Sequence, residues 1–256
     1  MAGNSEGGVG MDPMHQFEVQ PIIELPALSG IDTSFTNSSL WMVLAVGLSG
    51  LFMLMASSRT ALVPGRLQLM GEMAYGFVAN MIKENVGTEG MRFFPFIFSL
   101  FMFILFCNML GMLPYSFTVT SHLIVTFALA AVVFCLVTAV GFIRHGIGFL
   151  KLFVPSGIPV VMVPLLVLIE VISYLTRPVS LSVRLFGNMM AGHTMLKIFG
   201  GFVVGLSSAG LVPLAIAPFA LMVALTGLEL LIAGLQAYVF TILTCIYLNE
   251  AIHMDH

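Results

Sequence analysis

Long apolar runs alternate with short polar stretches along most of the chain. Three of these runs predict membrane spans at Leu40–Ser57, Phe93–Leu113 and His122–Phe142. Each is close to the roughly 20 residues that a helix needs to cross a hydrocarbon core of about 30 Å. We therefore expect three helices roughly perpendicular to the membrane. Residues 1–39 precede them as a polar, acidic and Gly/Pro-punctuated tail, which predicts an irregular or surface-lying segment.

Residues 67–85 have a different pattern, in which apolar side chains recur at helical spacing but are repeatedly interrupted by polar ones. Pro64-Gly65 marks the start of this stretch and Gly87 its end. A continuous span would not tolerate so many polar groups, whereas a helix along the membrane surface would. We predict such an amphipathic surface helix. The interrupting residues are Gln68, Glu72, Asn80, Lys83 and Glu84.

The second half of the chain is too long for simple spans. Leu211–Leu248 is a run of 38 residues interrupted only by Glu229 and Gln236. As one helix it would be about 57 Å long at 1.5 Å per residue, nearly twice the hydrocarbon thickness of about 30 Å. We expect two long, steeply tilted membrane helices at residues 160–197 and 211–249, separated by a glycine-rich stretch. The Pro/Gly-broken connector Phe153–Pro159 precedes them.

The distribution of basic residues predicts the orientation. Cytoplasmic loops of membrane proteins carry an excess of Lys and Arg. Here the basic residues cluster between the first and second spans and directly after the third, which places both segments in the cytoplasm, and we also expect the C-terminus there. The tail and the turn at 114–121 are then outside. The residues that define this pattern are Arg59, Arg66, Lys83 and Arg92, followed by Arg144, His145 and Lys151.

Composition narrows the class. With 59% hydrophobic residues, 8% charged residues and a mean hydropathy of +1.07, the chain is an integral membrane protein. A net charge of −3 gives no reason to expect nucleic acid as a partner. Residues 1–39 lack the basic start of a signal peptide, so we expect the first span to be uncleaved. We expect one membrane domain over 1–256, comprising the tail 1–39, the spans with the surface helix 40–151 and the tilted helices 152–256.

Enzymatic and cofactor signals are absent. The sequence has no HExxH, GxSxG, P-loop or GxGxxG pattern, so we expect no catalytic activity of the chain on its own. Cys107, Cys135 and Cys245 lie in apolar runs without metal-ligand spacing. We predict no metal and no cofactor.

Polar residues instead form a stripe within the tilted helices. Glu170, Arg177 and Arg184 are seven residues apart, a spacing that keeps them on one helix face, and Asn188 lies at the edge of that face. An arginine at bilayer depth costs about 2.5–3.5 kcal/mol on insertion scales, so it is rarely placed there without a function. Glu229 and Gln236 repeat the spacing on the last helix. Two such stripes suggest helix sides that line an aqueous path or contact a third element.

Two residues have open alternatives. Arg177 lies one heptad from Glu170, so it fits a charge partner of that residue or an interfacial anchor as well as a transport role. His193 is nine residues from Arg184 and therefore lies on nearly the opposite face. It is either a packing residue or a functional group facing Glu229, and we favour the functional role.

The residues alone fit two functional classes. One is a proton-translocating subunit that needs a carboxylate from another chain. The other is a self-contained proton-coupled secondary transporter, in which Arg184 would bind an anionic substrate and Glu170 or Glu229 would couple it to protons. Internal repeats, which are frequent in that class, are not evident. An intramembrane hydrolase lacks a nucleophile–base motif.

A family resemblance favours the first class. Pro178–Gly192, together with Leu235–Phe240 and Tyr247-Leu248, resembles the subunit a family of F-type ATP synthases, and Met14–Val19 is similar to its alphaproteobacterial branch. The resemblance implies a stator that conducts protons through two offset half-channels past a rotating c-subunit ring, coupling proton flow to ATP synthesis. It also implies b subunits of the peripheral stalk, the rest of the synthase and membrane lipids as partners. The implied location is the bacterial inner membrane, with the N-terminus periplasmic.

The same resemblance implies roles for individual residues. Arg184 matches the family's essential arginine, which separates the half-channels and promotes deprotonation of the ring carboxylate. Glu170 matches a carboxylate on the cytoplasmic exit side. Four further residues match family positions in the half-channel that opens to the outside, namely Asn188, His193, Glu229 and Gln236. Some relatives carry a carboxylate at position 193 and a histidine at position 229. The two residue types are therefore exchanged between the positions, but a histidine and a carboxylate are both retained.

Overall fold

The structure is a computed structural model that describes residues 19, 21–23, 34–58, 64–113, 116–154 and 162–253. Six α-helices account for most of this part of the chain. They are α1 (Asn37–Ser57), α2 (Arg66–Asn85), α3 (Phe94–Gly111), α4 (Leu123–His145), α5 (Val163–Ser208) and α6 (Val212–Ile252). Three 3-10 helices connect them, at Thr88–Phe93, Val119–Ser121 and Gly146–Phe153.

The segment before α1 is partly ordered as strands. β1 (Pro21–Ile23) pairs with β2 (Phe35–Thr36) in antiparallel orientation, so the tail is not irregular at these residues, and its predicted surface-lying position stays a prediction. Thr36 also caps α1, because its hydroxyl accepts from the backbone N–H of Ser39. This cap explains why the helix begins three residues before the predicted Leu40.

Five of the described helical segments are long and apolar enough to cross a membrane, and this confirms the all-α integral membrane class. α1, α3 and α4 correspond to the three predicted spans. α2 is not among the five, and its bounds agree with the predicted 67–85 to within one residue. Its position along the membrane surface, the perpendicular orientation of the three spans and the division into segments of one membrane domain stay predictions.

The first tilted helix is longer than predicted. α5 continues eleven residues beyond position 197 and includes Gly200, Gly201 and Gly205. Glycine costs about 1 kcal/mol in a helix relative to alanine, which is less than the cost of leaving backbone groups unpaired in an apolar environment. The chain turns only at Gly210, whose φ of 76° favours glycine.

The two last helices are too long to stand upright in a bilayer. With 46 and 41 residues, they are about 69 and 62 Å long at 1.5 Å per residue. The hydrocarbon core measures about 30 Å, so a steep tilt or a bend is required, and the tilt stays a prediction. Each helix continues through an internal proline, Pro178 in α5 and Pro218 in α6.

The core forms where α6 packs against α3 and α5, and where α4 packs against α5. This packing fixes the α5–α6 seam, along which the polar residues of both helices meet. The side chains that fill the core include Ile97, Ile104, Leu185, Ala237, Phe240 and Leu248, all at most 1% exposed.

Some predicted features lie outside the described residues. These are residues 1–18 with most of Met14–Val19, Arg59, residues 114–115 of the predicted outer turn, residues 155–161 of the connector and first tilted helix, and the side chain of Lys151.

Candidate functional site

Arg184 projects from the exposed side of α5. Its neighbours Leu181 and Leu185 are 2% and 0% exposed and pack into the core, whereas the arginine itself is exposed. Within the part of the chain that the structure describes, Arg184 has no salt bridge. A permanent cation on a membrane-spanning helix needs an acceptor or water, and no carboxylate among the described residues forms a salt bridge with it.

Arg177, one heptad earlier, has a different environment. Its guanidinium forms a salt bridge with Glu250 near the end of α6. The same group lies 5.2 Å from the ring centroid of Tyr174 and 4.9 Å from that of Tyr247, within the range of cation–π attraction. The partner of Arg177 is therefore Glu250 on the neighbouring helix, so of the alternatives left open for Arg177 the charge pair forms with Glu250 and not with Glu170.

Two further polar pairs connect α5 and α6. The side-chain amide of Asn188 donates a 3.0 Å hydrogen bond to Oε1 of Gln236. Nδ1 of His193 lies 3.5 Å from Oε1 of Glu229. As residue numbers rise along α5, those of the partners fall along α6, so the helices are antiparallel. From Arg177 to His193 the polar contacts extend about 24 Å along α5 at 1.5 Å per residue.

Glu229 is deeply buried. Only 4% of the residue is exposed, and neither carboxyl oxygen has a hydrogen-bond partner in the described structure. An isolated carboxylate would be very costly here, so the group must be either protonated or opposite a cation. The imidazole of His193 is the titratable group in contact with it. A proton on either member of the pair therefore removes the cost of an isolated buried charge.

Gly192 allows this contact. A Cβ atom at this position would lie 2.8 Å from Oε1 of Glu229 and 3.1 Å from its carboxyl carbon, both closer than normal packing. The missing side chain lets the carboxyl group lie directly against the backbone of α5. Gly192 is a site residue that no motif in the sequence indicated, and its position directly before His193 was the available signal.

A cluster of buried hydroxyl and amide groups continues from His193 into the connection between α3 and α4. Nε2 of His193 lies 3.0 Å from Oγ1 of Thr118. Thr120 donates to Oδ1 of Asn108 over 2.9 Å, and the amide of Asn108 donates to the carbonyl of Ala233 on α6 over 3.2 Å. The cluster was missed because the sequence of this connection was interpreted only as an uncharged turn.

The structure brings some predicted site residues together and leaves one apart. Asn188, His193, Glu229 and Gln236 lie at one seam, on the C-terminal side of Arg184. Glu170 is half-buried about 21 Å from Arg184 in the other direction along α5, at 1.5 Å per residue, and has no salt bridge within the described residues. Among the described residues, no three His, Cys, Asp or Glu side chains are grouped as metal ligands.

Known proteins are similar to this chain over nearly its whole length. The sequence model of the ATP synthase A chain family matches residues 39–249. The chain is 59% identical to ATP synthase subunit a of Parvibaculum lavamentivorans, over 100% of this chain and 98% of the relative. It is 58% identical to ATP synthase subunit a of Chelativorans sp., with 96% and 99% covered, and 57% identical to that of Pelagibacter ubique, with 96% and 99% covered.

Proposed function

This chain belongs to the ATP synthase A chain family, and we propose that it conducts protons through two offset half-channels that meet a rotating ring of c subunits at Arg184. It is a multi-pass membrane subunit of an ATP synthase and works in a complex with other subunits. In this proposal the ring carboxylate comes from the c subunits, and b subunits of the peripheral stalk hold the chain stationary. The chain carries no catalytic site of its own for ATP.

The exposed position of Arg184 is the observation that carries the proposal. An arginine on the outward side of α5, without a salt bridge in the described residues, is available to a carboxylate of another chain. Its guanidinium stays protonated in proteins, so it cannot itself relay protons. A fixed positive charge stabilises the ionised form of a passing carboxylate and so promotes proton release. It also repels a proton that would cross directly between the half-channels.

The pairs beyond Arg184 form the half-channel from the periplasmic side. Glu229 and His193 exchange a proton, because the buried carboxyl group and the half-buried imidazole lie in contact. Asn188 and Gln236 lie between this pair and Arg184, where their amides provide donors and acceptors for water. The proton then reaches the ring carboxylate close to Arg184.

Glu170 serves the opposite half-channel. It is half-buried on α5, on the other side of Arg184 from His193. A carboxylate in this position accepts the proton released after rotation and passes it to the cytoplasm. The positive-inside pattern supports this direction, with a periplasmic N-terminus and a cytoplasmic C-terminus in the bacterial inner membrane. Arg177 has a supporting role, since its charge is engaged by Glu250.

The test is Arg184→Ala in reconstituted ATP synthase. We expect ATP-driven proton pumping to be lost while the complex still assembles and passive proton conduction persists after the catalytic head is removed. Arg66→Ala is the matched control, because Arg66 is an exposed arginine at the start of α2, far from the seam along the chain. Normal coupled pumping by Arg184→Ala would refute the proposal. Proton-coupled substrate uptake by the isolated chain would support a self-contained transporter instead.

A further inference from the structure

The hydroxyl group of Thr118 lies at the ring nitrogen of His193 that faces away from Glu229. Oγ1 of Thr118 is 3.0 Å from Nε2, and Nδ1 of the same ring is 3.5 Å from Oε1 of Glu229. Thr118 belongs to the connection between α3 and α4 and is 4% exposed. The imidazole therefore has a protein group at each nitrogen, one a hydroxyl and one a carboxyl group.

The second contact of Thr118 favours one direction for these hydrogen bonds. Its hydroxyl also donates to the backbone carbonyl of Gly111, over 3.2 Å. A hydroxyl group has one proton to donate and can accept through its lone pairs. With that proton directed at Gly111, Thr118 accepts the N–H of Nε2. A neutral imidazole carries only one proton, so Nδ1 presents a lone pair to Glu229.

Thr118 is held firmly in this place. A Cβ atom on Gly111 would lie 2.8 Å from Cγ2 of Thr118 and 3.1 Å from Oγ1, so the glycine permits the close approach of the two segments. The carbonyl of Thr118 accepts a 2.6 Å hydrogen bond from the hydroxyl of Ser121. The side chain of Thr118 is thus fixed against Gly111 of α3, and its backbone is fixed against the 3-10 helix at Val119–Ser121.

We propose that Thr118 is a positioning residue that holds His193 with its Nε2 protonated and so presents an unprotonated Nδ1 to Glu229. This inference rests on the proposed proton-conducting function. In the step that it prepares, the proton of the Glu229 carboxyl group moves to Nδ1, which leaves a carboxylate and an imidazolium. The opposite transfer restores both neutral groups, and no other reactant is needed.

Few charged groups surround the imidazole ring of His193 in the described structure. Glu229 faces it from α6, and Lys197 lies one helical turn further along α5 and acts on it electrostatically. Thr118, which faces it from the α3–α4 connection, is uncharged at every pH. Removal of the Thr118 hydroxyl therefore changes the tautomer preference of His193 without removing a charge.

Three variants separate positioning from packing. Thr118→Ala removes the acceptor for Nε2, and Thr118→Ser retains it. Thr126→Ala is the matched control, because Thr126 is a threonine with 0% exposure whose hydroxyl lies 3.0 Å from that of Ser182. It also joins the α4 region to α5 but does not contact His193. All three are studied in the whole ATP synthase in liposomes.

Two measurements are made on each variant. ATP-driven proton pumping is recorded across external pH, and the histidine tautomer is followed by solid-state NMR on ¹⁵N-histidine-labelled complex, with His193→Gln to assign the signal. For Thr118→Ala we expect pumping to fall about three- to tenfold, the factor for one lost hydrogen bond, with an altered pH profile and loss of the single Nε2-protonated signal. Thr118→Ser and Thr126→Ala should resemble the unaltered protein in both measurements.

Each contrary result has a definite meaning. Unchanged pumping and an unchanged histidine signal in Thr118→Ala would overturn the positioning role. So would equal losses in Thr118→Ala and Thr126→Ala with the tautomer preserved, because the threonine would then act only through packing. Arg184→Ala in the same preparation tests the proposed function separately. If it abolishes pumping while Thr118→Ala changes nothing, only the positioning role fails, and if it pumps normally, the proposed function fails.

Discussion

The guanidinium of Arg177 on α5 forms a salt bridge with the carboxylate of Glu250, in the last turn of α6. The side chain of Arg177 is 18% exposed and that of Glu250 is 38% exposed, so the pair is only partly screened by solvent. The bond joins the two helices at the end of the seam opposite to the His193–Glu229 pair. It therefore fixes the register in which the functional groups of α5 and α6 meet.

Glu250→Gln should weaken this connection and lower the thermal stability of the assembled complex. Replacing the charge leaves the arginine without its counter-ion, at a cost of about 1 kcal/mol for a half-exposed pair. The measurement is the temperature at which the chain dissociates from purified complex. Glu89→Gln is the control, because its salt bridge to Arg144 is more exposed on both sides, at 51% and 43%, and its loss should have a smaller effect. An equal shift in both variants would contradict the prediction.

Tyr247→Leu should lower the same dissociation temperature, whereas Tyr247→Phe should not. The ring of Tyr247 lies 4.9 Å from the guanidinium of Arg177, and phenylalanine retains the aromatic face while leucine does not. Cation–π contacts that are partly shielded from water contribute about 0.5–2 kcal/mol. If the two substitutions behave alike, the ring contributes through its volume and not through its contact with the cation.

Gln236→Leu should reduce proton pumping with little effect on assembly. Gln236 is 3% exposed and its Oε1 accepts from Asn188, so leucine fills a similar volume but leaves the amide of Asn188 without this acceptor. The loss of one polar contact in the path corresponds to about a three- to tenfold fall in rate. Gln68→Leu is the matched control, because Gln68 is a half-buried glutamine on α2, away from the seam, and its side-chain amide donates to Glu72. The check is ATP-driven pumping by both variants at equal amounts of complex.

The membrane spans could be predicted because the pattern of apolar runs depends only on the bilayer thickness and the helix rise. The end of α5 could not be predicted from the sequence. Gly200 and Gly201 disfavour a helix in water, but they stay helical here because unpaired backbone groups are costly in an apolar environment. Helical periodicity predicted that His193 lies on nearly the opposite face from Arg184, and the contact with Glu229 is one of the two alternatives that it left open. Their proposed roles in proton transfer stay predictions.

Contacts between side chains on distant elements could not be predicted from the sequence. Glu250 follows the last apolar run as one more charge near the C-terminus, and nothing in its spacing relates it to Arg177. Thr118 is one of several hydroxyl residues in a turn, and its contact with His193 depends on how the α3–α4 connection packs against α5. A contact between residues far apart in the chain is set by the packing of whole helices, which local periodicity does not encode.

Gly192→Ala should impair proton transfer while the fold stays intact. The added methyl group would lie 2.8 Å from Oε1 of Glu229, and the carboxyl group, at the end of a flexible side chain, can move away at small cost in stability. That movement increases the distance between Oε1 of Glu229 and Nδ1 of His193, which is 3.5 Å in the native arrangement. A displacement of about 1 Å in a reacting pair lowers rates by up to about a hundredfold. We therefore expect a loss of pumping of about ten- to hundredfold at normal assembly.

Gly205→Ala on the same helix provides the control, because its added methyl group would meet nothing within 4 Å. Normal pumping by Gly192→Ala would mean that the His193–Glu229 contact is not on the proton path.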